Sequence, residues 1–322
     1  MKNYNYIIFP LYMLSIIFTL SSPSWMMIWI GMEMNLLTFI FIVMQTKTMF
    51  SVESSMKYFL VQAAGSLIFL LSLSMNMIFY DEMFKIGSLI PPLALILKSG
   101  MAPLHTWTPE VVSKFNFKGL FLFTTFQKII PMIILFSAWA PLTSWILMFN
   151  IIVGGLGGIS QSSISKMIIF SSINNSGWMM MSLSQSYFTF QMYFLVYTLM
   201  TWVLVYFMKL NKIKWIIQIK SIKLYQKSVF TIIMLSLSGL PPLLGFIPKW
   251  MILSKLISVY PLAVITSIVF SILTMFFYIK SSICMMMVSI YSMKSMNSHK
   301  KEIWATFLIL NIMSPFLYFL LK

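Results

Sequence analysis

Apolar residues run along the chain in blocks of about twenty, the length a helix needs to cross a bilayer, and the stretches between them hold most of the lysines. The blocks cover residues 4–22, 25–45, 55–80, 86–109, 117–139, 142–160, 164–184, 187–209, 228–256, 261–289 and 303–321, and they predict eleven spanning helices. The fourth and ninth blocks are interrupted by glycine and proline. The expected fold is an all-α polytopic membrane protein.

The charges sort by side. With the N-terminus on side one, that side receives Lys2, Lys47, Lys57, Lys114, Lys118, Lys166, the loop Lys209 to Lys227, Lys294, Lys300 and Lys301. Side two receives Asp81, Glu82, Lys85 and little else before Lys322. Lysines in short loops face the cytoplasm-like side, which for an organelle is the matrix. The loop "KLNKIKWIIQIKSIKLYQK" spaces six lysines among Trp215, Ile216, Ile217, Ile219 and Ile222. An interfacial helix beside anionic lipid accounts for that pattern without nucleic acid.

The two interruptions resemble each other. Ser99-Gly-Met-Ala-Pro-Leu104 aligns with Ser238-Gly-Leu-Pro-Pro-Leu243, sharing Ser-Gly, a fifth-position Pro and a sixth-position Leu. Gly after an apolar run with Pro beyond it stops a helix. The fourth block starts from side two and the ninth from side one, so the breaks are expected to have inverted topology. Paired interrupted helices point to a transport site near the midplane. A plain proline kink is the alternative at either position alone.

Four ionisable residues sit well inside blocks: Glu33, Lys98, Lys128 and Lys249. Each costs about 2.5–3.5 kcal/mol at mid-helix on insertion scales, which marks it as functional by default. Snorkelling or a static ion pair is the alternative. Burial and a neighbouring carboxylate act in opposite senses on the charge of an amine, so a lysine subject to both suits a proton relay. Glu33 is the one acid expected at mid-helix, and Lys98 is its expected partner. His105 follows the first break, and histidine as a residue type suits proton hand-over, so it is a further candidate; a hydrogen-bonded interfacial histidine is the alternative. Glu110 reads as a helix cap or a solvated helix end.

Composition narrows the function. The 322 residues are 60% hydrophobic and 9% charged, with a mean hydropathy of +0.91. One cysteine, Cys284, and two histidines exclude a multi-Cys or His-rich metal site. "GGLGG" (Gly154 to Gly158) follows no predicted strand and reads as close helix packing. All 22 basic residues are lysine, and there are 31 methionines. Coding bias in an AT-rich organellar genome explains both. No Arg-rich transit peptide or cleavable signal is read at the N-terminus, so residues 4–22 are expected to be a retained first helix in an organelle-encoded chain.

"WIGMEMNLLTFI", "SVESSMKYFLVQA", "LKSGMAPLHTWTPEV", "FQKIIP", "SSINNSGWM" and "LSLSGLPPLLGFIPKW", in order along residues 25 to 250, together resemble the subunit 2 family of mitochondrial NADH–ubiquinone oxidoreductase, one of the antiporter-like subunits of respiratory complex I. The resemblance implies two inverted five-helix repeats, each with a broken helix, in residues 1–139 and 140–290, followed by a C-terminal loop and helix in 291–322. It implies a proton relay in which Glu33 and Lys98 are the coupling pair, Lys128 the central lysine, Lys249 the lysine of the second broken helix and His105 an accessory histidine. It implies no cofactor in this chain, with NADH, FMN, iron–sulfur clusters and ubiquinone in other subunits. Expected partners are other membrane-arm subunits, with subunits 4 and 4L as flanks, and phospholipids including cardiolipin. The expected location is the mitochondrial inner membrane, with the N-terminus in the matrix. Relatives often carry His where this chain has Asn175, and Arg before the Lys where it has Ser165 and Lys166. A stand-alone cation/proton antiporter subunit and a scaffold are the competing readings. Protease added to mitochondria stripped of their outer membrane is expected to leave the Lys209 to Lys227 loop intact; cleavage there overturns the sidedness.

Overall fold

The computed structural model describes residues 5–45, 48–75, 86–216, 218, 224–286 and 311. Among these residues the structure is helical, with one isolated backbone bridge between Ser163 and Trp215. The eleventh expected block lies outside the described residues apart from Asn311, as do Asp81, Glu82, Lys85 and part of the Lys209 to Lys227 loop. The chain divides into two compact units, Met1–Asn150 and Ile151–Lys322.

In the first unit, α1 (Asn5–Ser21) packs on α2 (Trp25–Val43), which packs on α3 (Met49–Ser74). Ser24 caps α2 by accepting the Met27 N–H at 3.4 Å. Thr48 and Ser51 exchange side-chain-to-backbone bonds at the start of α3, satisfying donors that a helix start leaves open. Phe39 on α2 is fully buried, with its ring centroid 5.1 Å from that of Tyr58 and 6.3 Å from that of Tyr12. These tilted ring contacts knit α1, α2 and α3 together.

The fourth block becomes a 3₁₀ turn (Ile86–Leu89), α4 (Ile90–Ser99) and α5 (Trp107–Val112). The fifth block, expected to be continuous, is also interrupted: α6 (Phe117–Thr124), a 3₁₀ turn (Phe126–Lys128) and α7 (Ile129–Ala138). Pro131 is the physical reason. Its ring has no N–H for the carbonyl four residues back, at Gln127, and would collide with it in a regular helix.

Beyond α8 (Ala140–Gly157), the second unit contains α9 (Ile164–Leu183), α10 (Tyr187–Asn211), α11 (Leu224–Ser238), α12 (Phe246–Leu256) and α13 (Pro261–Met286). Every α9 residue from Met167 to Leu183 is buried, so this helix is the core of its unit. Its serines return their hydroxyls to carbonyls one turn earlier, as Ser171 does to Ile168 O at 2.8 Å and Ser172 to Ile169 O at 2.7 Å. At Gly154, α8 lies so close to α9 that an added Cβ would run into the Asn174 backbone.

Large apolar side chains cover the outer surface, among them Tyr6 at 81% exposure and Met49 at 86%. Six stretches among the described residues are long and apolar enough to span a bilayer. The chain is a multi-pass helical membrane protein. Gly154→Leu is expected to separate α8 from α9 and to cost about 1–3 kcal/mol, the usual range for overpacking. A lower melting temperature of the detergent-solubilised protein checks this.

Candidate functional site

The helices that run into the two glycine–proline breaks stop in the same way. α4 ends at Ser99, where Gly100 takes a left-handed φ of 66°. The Gly100 N–H donates to Leu97 O and the Met101 N–H to Ile96 O, both at 3.2 Å. α11 ends at Ser238, where Gly239 has φ 83°. The Gly239 N–H donates to Ser236 O at 3.1 Å and the Leu240 N–H to Leu235 O at 3.4 Å. Both are Schellman closures, which need a residue that tolerates positive φ. Prolines follow, and the Ala102–Pro103 and Pro241–Pro242 bonds are both cis.

A Schellman closure leaves the last carbonyls of the helix still to be met. In the first unit Gln62 Nε2 donates to Lys98 O at 2.7 Å, and Asn150 Oδ1 accepts the Ala102 N–H at 2.7 Å within the break. In the second unit Lys249 Nζ donates to Ser238 O at 2.8 Å. That ammonium also lies 5.5 Å from the centre of the Trp178 ring. The carbonyl end of a helix and the face of an indole both favour a cation at this point.

Lys98 Nζ is 3.5 Å from Glu33 Oε1, with the lysine side chain 5% exposed and the carboxylate side chain 30% exposed. At that distance the two groups form an ion pair, longer than a well-formed hydrogen bond. Lys98 also lines a cavity of about 20 Å³ with Asn35, Tyr58, Gln62, Gln127 and Pro131. That volume holds a water molecule, and the polar lining supplies its partners. Gln127 Nε2 donates to Asn35 Oδ1 at 2.9 Å. A second cavity of about 20 Å³ has Lys249, Asn175, Tyr193, Tyr197 and Ser236 in its wall, with Tyr193 OH donating to Asn175 Oδ1 at 2.8 Å.

Lys128 is buried in the 3₁₀ turn directly after Gln127. His105 sits half-buried in the connection between α4 and α5, with Nδ1 3.1 Å from Pro103 O, and it does not line the Lys98 cavity. Glu110 is exposed in the first turn of α5. The structure therefore brings Glu33 and Lys98 together, sets Lys128 beside a cavity-lining residue, and keeps His105 outside that cavity. Among the described residues no three His, Cys, Asp or Glu side chains cluster as metal ligands would.

Asn35, Gln62, Gln127, Tyr193 and Trp178 were missed by a reading that followed ionisable groups. The available signal was a neutral amide inside an apolar block, as in "MEMNLL", "FLVQAA" and "TTFQKI". Such a group must find partners in the membrane interior.

A family model described as "NADH:quinone oxidoreductase/Mrp antiporter, TM" matches residues 22–275. The chain is similar to NADH-ubiquinone oxidoreductase chain 2 of Anopheles gambiae, with 34% identity over 281 residues covering 84% of this chain and 82% of the relative. It is 37% identical to the protein of that name from Artemia franciscana over 266 residues, 82% of this chain and 84% of the relative. Among solved structures, a chain of respiratory complex I from Thermus thermophilus with bound aureothin superposes with a TM-score of 0.76 at 20% identity. That match covers 95% of this chain and 76% of the other, and it establishes likeness of fold.

A Cβ at Gly239 would lie 3.0 Å from Lys249 Cδ and 3.2 Å from Nζ, at a φ that disfavours L side chains. Gly239→Val is expected to cost about 2 kcal/mol in backbone strain and to dislodge Lys249 from Ser238 O. A lower melting temperature together with faster labelling of Lys249 by an amine reagent checks both effects.

Proposed function

The chain belongs to the NADH:quinone oxidoreductase/Mrp antiporter transmembrane family, and we propose that it is a proton-translocating subunit of the membrane arm of an NADH:ubiquinone oxidoreductase. One observation carries the reading: each unit holds a buried lysine beside a Schellman-closed break and a water-sized cavity. A structural kink requires neither the lysine nor the cavity. Glu33, Lys98, Lys128 and Lys249 serve as proton carriers, and His105 acts outside the first cavity as an accessory group. Relative movement of Glu33 and Lys98 changes the balance between burial and counter-charge at the amine, and that change moves the proton.

The finer architecture belongs to the same proposal. Eleven helices form inverted five-helix repeats in residues 1–139 and 140–290, with residues 291–322 adding a last loop and helix. The matching closures at Gly100 and Gly239 support the repeat. Electron transfer through NADH, FMN, iron–sulfur clusters and ubiquinone takes place in other subunits; a single cysteine cannot supply the thiolates of an iron–sulfur cluster. Membrane-arm neighbours, with subunits 4 and 4L as flanks, and anionic phospholipids such as cardiolipin are the partners. The site of action is the mitochondrial inner membrane, with the N-terminus in the matrix and the chain encoded in the organelle.

The family description also covers Mrp antiporters, so a stand-alone cation/proton antiporter subunit is the second reading. Comigration with NADH dehydrogenase activity on a native gel separates the two; migration apart from that activity favours the antiporter.

Lys98→Ala is expected to lower coupled turnover at least tenfold in fully assembled complex, the scale of losing one positioned proton-transfer group. Lys98→Arg is expected to do the same, because arginine keeps its proton. Proton pumping and quinone reduction in matched, assembled samples test this. Normal pumping with Lys98→Arg reduces the pair to a static ion bridge.

A further inference from the structure

The Lys98 cavity contains two groups with no task in the relay as described. Asn35 lies two residues after Glu33 on α2, and Gln127 directly precedes Lys128 in the turn that interrupts the fifth block. Their amides are joined at 2.9 Å, and both line the cavity. The bond therefore ties the helix carrying Glu33 to the turn carrying Lys128. That turn is closed by 3₁₀ backbone bonds, the Lys128 N–H donating to Thr125 O at 3.2 Å, and the amide bond adds a tether between it and α2. An amide has two N–H donors and an oxygen with two lone pairs. The bond uses one Gln127 donor and one Asn35 lone pair, and leaves hydrogen-bonding capacity on both side chains for a water. Neither amide titrates near neutral pH, so the pair can orient a proton-carrying water without capturing the proton.

We propose that Asn35 and Gln127 are positioning residues that fix the water taking the proton from Lys98. In that step one N–H bond of the Lys98 ammonium breaks and the proton joins the water oxygen. Lys98 is left as a neutral amine, and the water passes one of its protons to the next carrier of the proposed relay, the Lys128 amine in its neutral form, which becomes the ammonium. One proton moves and no electron does. Gln62, bonded to Lys98 O, holds the other end of the arrangement. The inference rests on the proton-relay reading of Lys98.

The test separates positioning from packing. Replacing both partners of a buried hydrogen bond with apolar groups of similar shape leaves no orphan and is close to neutral for folding. The double variant Asn35→Leu/Gln127→Met is thus expected to assemble, yet to translocate protons on the order of tenfold more slowly, as expected for a misplaced reacting group. Its H2O/D2O rate ratio is expected to rise. The exchange Asn35→Gln/Gln127→Asn rebuilds an amide pair and is expected to recover most of the rate. Wild-type translocation by the assembled double apolar variant overturns the proposal. Should that variant fail to assemble, the exchange variant decides: recovered pumping with a normal isotope ratio supports the proposal, and assembled but non-pumping complex overturns it. Lys98→Ala, run in parallel, separates the two levels. If it pumps normally, the relay reading itself fails; if it does not pump while the double apolar variant does, only the positioning role fails.

Discussion

Backbone carbonyls released inside a bilayer find no water, and the protein has to meet them itself. Much of the site follows from that constraint. Two membrane helices are stopped by Gly100 and Gly239, and each closure leaves carbonyls exposed to the interior. Gln62 meets one of them and Lys249 another, while Asn150 meets an amide freed in the first break. Because these partners come from other helices, each break also fixes how its neighbours pack. Polar groups gathered to satisfy the backbone then become the wall of a cavity that can hold water.

The two units solve the problem with different chemistry. In the first, a neutral amide takes the carbonyl, so the Lys98 ammonium is left to an acid at ion-pair distance. In the second, the ammonium of Lys249 takes the carbonyl itself, against an indole face. Lys98 therefore has a carboxylate as its neighbour, and Lys249 a helix end. Asn175, bonded to Tyr193, adds polarity to the second cavity without adding a titrating group.

Features local in sequence were the readable ones. Block length, the Ser-Gly and Pro signatures of the two breaks, and charges at membrane depth are written into consecutive residues, and each has a large energetic signature. The interruption before Lys128 escaped because Pro131 lies only three residues beyond it inside an otherwise apolar run, where proline is tolerated near a helix start. The amide pair escaped because Asn35 and Gln127 are distant in sequence and meet only once the helices pack. The placement of His105 outside the Lys98 cavity turns on the path of the chain between α4 and α5, which no periodicity encodes. "GGLGG" was legible as packing, yet its partner Asn174 was not.

The core helix of the second unit has a consequence for biogenesis. α9 is buried along almost its whole length and rich in serine and asparagine, and it is not among the stretches apolar enough to span a bilayer by composition. A translocating channel sorts each emerging segment by its own preference for lipid. α9 has little such preference to offer, since its serines and asparagines lower its affinity for hydrocarbon. Its entry into the membrane is expected to draw on the helices it packs against, α8 and α10. A helix placed at the centre for its polarity is thereby made dependent on its neighbours from the moment of synthesis.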